Sequence, residues 1–237
     1  MTPLVYLLYT KNMPGRNIPL VTNEIYHIFN RGVASQPVFL DKRDFNRARE
    51  SLFYYQNRIV PVRYSKFLTI NAYDRLSLLK ELSDKKDFWV EIIADCLMPN
   101  HFHLILKQVT ENGISKFIAN FTNSYTKYSN TKNERNGPIF QGKFKAVRVE
   151  TNEQLLHLSR YIHLNPYTSF VVKSLRDLEN YEFSSLPEYL RLVKTNFFSK
   201  EIVLDNFKGK SSYWSFVFDQ ADYQRKLEEI KHLTLEK

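Results

Sequence analysis

The sequence predicts an α+β fold: an antiparallel sheet with helices on one face, followed by a helical C-terminal extension. Three observations predict it. From residue 24 to residue 165 the order is strand, helix, two-strand hairpin, helix, strand, helix, which builds a sheet covered by helices rather than a bundle or a sandwich of sheets. Strand-like stretches rich in β-branched and aromatic residues alternate with stretches whose apolar residues recur every three or four positions. The 237 residues hold only 6 glycines and 9 prolines, with no flexible linker and no internal repeat.

The elements follow in order. Glu24-Ile25-Tyr26-His27-Ile28-Phe29-Asn30-Arg31-Gly32 is rich in β-branched and aromatic residues and stops at a glycine, which marks a strand. Asp41 can cap a helix that runs to about Tyr55, with Phe45, Ala48, Leu52 and Tyr55 on one stripe. Residues 58–87 form an excursion with a helix over Asp74 to Leu82. Phe88 to Leu97 reads as strand, and Met98-Pro99-Asn100 turns it into a second strand starting at His101. After Gly113, the residues Ile114, Phe117, Ile118, Phe121 and Tyr125 define a helix that ends before the polar stretch from Asn130 to Gly137. Pro138 to Glu150 is expected as strand, with Phe140, Phe144, Val147 and Val149 inward. Thr151 and Gln154 make a capping-box signature for a helix whose stripe is Leu155, Leu158 and Ile162. Pro166 disfavours helical geometry at the residue before it, so Asn165 is expected at the very end of that helix, already unwound.

The tail carries helical patterns over Ser184–Val193 and Asp219–Leu233, the latter with Tyr223, Leu227, Ile230 and Leu233 on a stripe, and the aromatic run Tyr213–Phe218 between them. The division expected is a domain over residues 1–169, with 1–21 as an N-terminal arm, and an extension over 170–237 packed on it. With helices on one face of the sheet, the other face is expected to be free for a ligand.

Composition narrows the function classes. Lys and Arg number 34 against 25 Asp and Glu, a formal net charge of +9, and the excess is concentrated: Lys107 to Arg148 carries a net +6. A polyanion is the natural partner. The single cysteine, Cys96, excludes a disulfide framework and a cysteine zinc site, and it fits a reducing cytoplasm. The run Leu4-Val5-Tyr6-Leu7-Leu8 is too short to span a bilayer and lacks the flanks of a signal peptide, so a strand or ordered arm and no membrane partner are expected.

The chemistry-bearing stretch is Met98-Pro99-Asn100-His101-Phe102-His103-Leu104-Ile105-Leu106. On a strand His101 and His103 project side by side while Phe102, Leu104 and Leu106 point the other way. Two imidazoles can hold a divalent ion, given at least one further ligand. His157, Tyr161 and Asn165, spaced by four, share a helix face; His157 is a competing ligand or substrate contact, whereas His163 points elsewhere.

Together with Tyr26–Gly32, Gly137–Phe144, Arg160–Pro166, Phe183-Ser184-Ser185 and Glu188-Tyr189-Leu190, this stretch resembles the single-tyrosine HUH (His, bulky hydrophobe, His) transposases, most closely the branch of REP-associated tyrosine transposases. The resemblance implies a ferredoxin-like catalytic core over 1–169. It implies that His101 and His103 are metal ligands for Mg²⁺ or Mn²⁺, Tyr161 is the nucleophile and Asn165 the third ligand; Tyr125 and Tyr167 are the competing tyrosines. It further implies a single-stranded DNA endonuclease and strand transferase acting on hairpin-forming repeats through a 5′-phosphotyrosine. Lys107, Lys116, Lys127, Lys143, Lys145 and Arg148 would then track the DNA backbone, with His27, Asn30 and Arg31 near the site or simply at a structural strand end. A monomer rather than a dimer, in the bacterial cytoplasm and at the nucleoid when bound to DNA, is the corresponding expectation. The alternatives are a domesticated DNA- or RNA-binding protein of the same fold that no longer cuts, and a replication or plasmid-relaxation initiator.

Overall fold

The computed structural model describes residues 19–193, 195 and 197–226. The expected N-terminal strand or arm over Leu4–Leu8 and the tail stripe beyond residue 226, with Leu227, Ile230 and Leu233, lie outside these residues. The described chain runs β1 (Ile25–Arg31), α1 (Lys42–Tyr55), α2 (Tyr64–Phe67), α3 (Ala72–Lys85), β2 (Val90–Met98), β3 (His101–Gln108), α4 (Gly113–Lys132), β4 (Lys145–Val149), α5 (Asn152–Thr168), α6 (Leu175–Glu179), α7 (Leu186–Tyr189), α8 (Glu201–Leu204) and α9 (Lys210–Phe218). The strands form one antiparallel sheet in the order β2-β3-β1-β4, the α+β architecture that the sequence predicts.

Local chemistry explains the element ends. The Asp41 carboxylate accepts the amide N–H of Asp44 and starts α1, and Thr151 Oγ1 accepts that of Gln154 and starts α5. The reciprocal half of the box reaches one residue further back, since Gln154 Oε1 accepts the N–H of Glu150. Gly32 ends β1 because the chain folds back on it: a Cβ there would stand 2.2 Å from the carbonyl oxygen of Gln36. No side chain larger than hydrogen fits that approach.

Strand alternation sorts the core into two layers. Tyr26, Ile28, Phe102, Leu104 and Leu106 face α1 and α4, packing with Leu52, Phe117, Phe121 and Tyr125. On the opposite face, Cys96, Met98 and Ile105 meet Leu155, Leu158 and Ile162 of α5, and then Leu186, Tyr189, Tyr213 and Val217 of the C-terminal helices. That second face is therefore not free as expected: α5 folds back over β2 and β3, because its own apolar stripe needs a surface to cover. What remains accessible is the end of the sheet where β3 begins.

The C-terminal segment also closes the β2 edge. The N–H of Leu97 donates to Phe183 O (2.8 Å), Ser185 N–H to Asp95 O (3.0 Å) and Ser199 N–H to Ile92 O (2.9 Å). An otherwise exposed row of strand donors and acceptors is thus satisfied within the chain. Underneath, His163 of α5 bridges the hydroxyls of Tyr213 (2.7 Å) and Ser185 (2.8 Å) and is fully buried.

Several sequence expectations shift in detail. The strand expected over 138–150 begins only at Lys145; residues 138–144 form a loop, joined to the end of β1 by an isolated bridge between Phe140 and Gly32 and by the N–H of Gln141 donating to Arg31 O (2.8 Å). The helix expected over 184–193 shrinks to Leu186–Tyr189, since its residues serve the β2 edge. Pro166 lies inside α5, which runs on to Thr168, so Asn165 is helical rather than unwound. A proline in the last turn removes one donor, and the carbonyl of Asn165 still accepts the N–H of Ser169 at 2.9 Å.

Candidate active site

His101 and His103 sit at the start of β3 on the α5 side of the sheet, one residue after the turn at Asn100. Their partners across the ladder are Arg31 and Phe29 of β1, and Met98 and Cys96 of β2. Each imidazole has its Nδ1 engaged. Nδ1 of His101 is 2.6 Å from Oδ1 of Asn100, and Nδ1 of His103 is 2.9 Å from Nε2 of His27. An amide oxygen only accepts, so His101 carries its proton on Nδ1 and its lone pair on Nε2.

α5 lays Tyr161 and Asn165 against this pair. The Tyr161 ring meets His103 edge-on at a centroid distance of 5.5 Å and an interplanar angle of 78°, and reaches His27 at 6.3 Å and 76°. One turn later, the side chain of Asn165 hydrogen-bonds His101. Asn165 is buried, and its Oδ1 accepts from the hydroxyl of Ser169 at 3.3 Å.

Burial sets the protonation state. It depresses His101 to about 4, against the smaller opposing effect of the Asn165 hydrogen bond, and the nearby Arg31 guanidinium adds to the depression. Burial also holds His103 well below the ordinary histidine range, with His101 and His27 contributing, and pushes His27 down to about 3. The imidazoles are therefore neutral at pH 7, the form that binds a cation.

The donor set fits a divalent cation. The imidazoles of His101 and His103, with ring centroids 4.9 Å apart, and the amide of Asn165 lie together with no carboxylate among them; the described residues contain no group of three His, Cys, Asp or Glu side chains arranged to hold a metal. A cation held by three neutral donors keeps its full charge for an anionic substrate, which suits a phosphodiester. His157 is not in this set: its Nδ1 accepts from Nη2 of Arg160 (2.5 Å), and its ring lies 6.0 Å from Phe216 of α9.

Of the three candidate tyrosines only Tyr161 is at the histidines. Tyr125 is wholly buried and donates its hydroxyl to Val38 O (2.9 Å), and burial pushes its pKa far up. Tyr167 donates to the carboxylate of Asp222 (2.8 Å) under the guanidinium of Arg225.

The cations expected on DNA do not all gather here. Arg31 is exposed opposite His101, with its Nε donating to Gln141 Oε1 (2.6 Å) on the loop that carries Lys143. Lys145 Nζ lies 5.9 Å from the Phe29 ring, which lies 5.8 Å from His103. Lys107 pairs with Glu91 (3.6 Å) about 20 Å along β3 from His101, and Lys116 lies over Trp89 at 4.4 Å near that far end. Arg148 is held by Glu24 (2.7 Å), and Lys127 is exposed on α4. Asn30 points to the opposite face of the sheet from the histidines, where its Oδ1 accepts the N–H of Arg31 (2.9 Å).

The resemblance places His27 near the site without giving it a task, and Asn100 enters only as part of the turn before His101. The signal for His27 is its period-two relation to Phe29 and Arg31, but the β1–β3 register, which sets it beside His103, pairs residues about 75 positions apart and is not readable from periodicity.

Residues 52–165, which include both histidines, Tyr161 and Asn165, match the model of the family described as IS200-like transposases. None of the curated proteins matches the chain significantly. Among solved structures, a REP-associated tyrosine transposase bound to a REP hairpin superposes with a TM-score of 0.51 at 14% identity, covering 80% of this chain and 93% of that one. The two comparisons agree on the fold: residues 52–165 are similar to the IS200-like transposases, and the solved structure shares the architecture of the described chain.

Proposed function

We propose that the chain is a metal-dependent single-stranded DNA endonuclease and strand transferase of the REP-associated type, acting on hairpin-forming repeats. The observation that carries this reading is the placement of Tyr161 and Asn165, one helical turn apart, on His103 and His101 respectively. The hairpin in the related solved structure supports the substrate class.

In this reading His101 and His103 would hold Mg²⁺ or Mn²⁺, with Asn165 as third ligand. A cation bound there would neutralise charge on a non-bridging phosphate oxygen. Tyr161 Oη attacks phosphorus in line with the leaving 3′ oxygen; the Oη–P bond forms, the P–O3′ bond breaks, the phenol loses its proton and the 3′ oxygen gains one. The product is a 5′-phosphotyrosine and a free 3′-hydroxyl. The covalent bond retains the energy to rejoin strands without a nucleotide cofactor. Arg31, Lys143 and Lys145, at the same end of the sheet, guide the strand to Tyr161. The catalytic domain in this reading is 1–169 and the extension 170–237, whose described helices pack on α5.

The test is incubation with labelled single-stranded hairpin DNA and Mn²⁺, followed by a denaturing gel. A covalent adduct that disappears in Tyr161→Phe, with binding retained, supports the assignment. An adduct that persists in Tyr161→Phe rejects the nucleophile, and binding without an adduct on any hairpin favours the non-cleaving DNA-binding protein.

A further inference from the structure

The contact between His27 and His103 must resolve into a donor and an acceptor. Both rings are buried, at 2% and 7% exposure, and they stack at 5.1 Å with an interplanar angle of 27° while Nε2 of His27 meets Nδ1 of His103 at 2.9 Å. A neutral imidazole has one N–H and one lone pair, so the pair has two proton arrangements. If His27 donates, the proton of His103 sits on Nε2, and that nitrogen cannot bind a cation. If His103 donates through Nδ1, its Nε2 keeps the lone pair.

The neighbouring ligand shows the second arrangement. Oδ1 of Asn100 can only accept, so Nδ1 of His101 donates to it and Nε2 of His101 is left as the basic nitrogen. His27 stands to His103 as Asn100 stands to His101. The sheet register holds it there, with Phe29 opposite His103 and His27 two pairs further along on the same face, opposite Ile105.

We propose that His27 is a positioning residue: in the cation-loaded protein it accepts the Nδ1–H of His103, fixing the tautomer and ring orientation that present Nε2 to the metal. The inference rests on the reading of His101 and His103 as cation ligands. It adds a third histidine that supports the site without being a ligand.

The experiment measures Mn²⁺ binding by calorimetry and by electron paramagnetic resonance on the full chain without DNA. His27→Phe, which fills the space but cannot accept a hydrogen bond, should weaken Mn²⁺ binding about 10- to 100-fold. His27→Gln, whose Oε1 can accept from Nδ1, should restore affinity to within a few-fold of wild type. Thermal melting and circular dichroism are recorded for both, so that a folding defect is seen separately. Unchanged affinity in His27→Phe, alongside loss of binding in His103→Ala, overturns the role of His27 and leaves the ligand reading standing. Equal weakening in His27→Phe and His27→Gln with unaltered melting also overturns it, because hydrogen-bond acceptance would then not matter. Absence of Mn²⁺ binding in the wild type, with His101→Ala indistinguishable from it, overturns the ligand reading and this inference together.

Discussion

The edge of the Tyr161 ring stands on His103 at 5.5 Å, while Asn165, one turn along the same helix, hydrogen-bonds His101. The two histidines alternate along a strand and the two helical residues are four apart, so α5 delivers its side chains in register with the pair. The other tyrosines have structural work. Tyr125→Phe removes a buried hydroxyl that donates to Val38 O, and should cost about 1 kcal/mol in denaturant unfolding while leaving the DNA adduct intact. Tyr167→Phe should likewise keep the adduct. Loss of adduct in either, with the fold preserved, would contradict the choice of Tyr161.

Cation binding should appear as stabilisation. A ligand that binds only the folded state at 100 times its Kd contributes about 2.7 kcal/mol, or about 5–10 °C in Tm for a chain of this size. Saturating Mn²⁺ should give a rise of this order, removed by chelator and absent in His101→Ala and His103→Ala. A rise that survives both substitutions would place the cation elsewhere.

Acid should destabilise the protein through His163. Burial lowers its pKa from the ordinary 6.5 to about 3, so the unfolded chain takes up the proton more readily than the folded one. The stability from this histidine is complete above pH 6.5 and is lost as the pH falls from 6.5 toward 3. Between pH 6.5 and 5 the loss is about 2 kcal/mol. Denaturant melts at pH 7 and pH 5 should show a shallower acid loss in His163→Gln than in wild type; equal slopes would refute the account.

Gly32→Ala should be costly although Gly32 has an ordinary extended backbone. Its Cβ would meet Gln36 O at 2.2 Å and Val38 Cγ2 at 2.9 Å. A loss of about 1–3 kcal/mol is expected, read as a fall in Tm. Wild-type stability in this variant would show that the turn after β1 yields easily.

Single-stranded DNA affinity should divide the basic residues by position. Lys143→Ala with Lys145→Ala should weaken binding and reduce the salt slope by about 1.4, at about 0.7 per phosphate contact on a single strand. Lys107→Ala with Lys116→Ala should leave the slope unchanged, since those side chains serve Glu91 and Trp89 at the far end of the sheet. Fluorescence anisotropy across a salt series distinguishes the two pairs, and equal slopes for both double variants would reject the positional argument.

Much of this protein is local in origin and was legible in the chain. The alternation around His101 and His103, the Asp41 and Thr151 caps, and the four-residue spacing of Tyr161 and Asn165 depend on neighbours a few positions away. Periodicity and capping chemistry report such neighbours directly. The resemblance carried by the same stretches singles out His101, His103 and Asn165 as candidate ligands and Tyr161 as candidate nucleophile. Long-range packing decided the rest. Whether α5 left the histidine face open or covered it depended on where a helix stripe found apolar surface, and the answer lay in Cys96, Met98 and Ile105 on strands some 60 residues earlier. The shortening of the 184–193 helix came from the unsatisfied edge of β2, which no local pattern displays. The place of His27 beside His103 came from a strand register fixed by the whole sheet. A chain encodes its turns and stripes residue by residue, but the partner of a side chain across a sheet exists only once distant segments have paired.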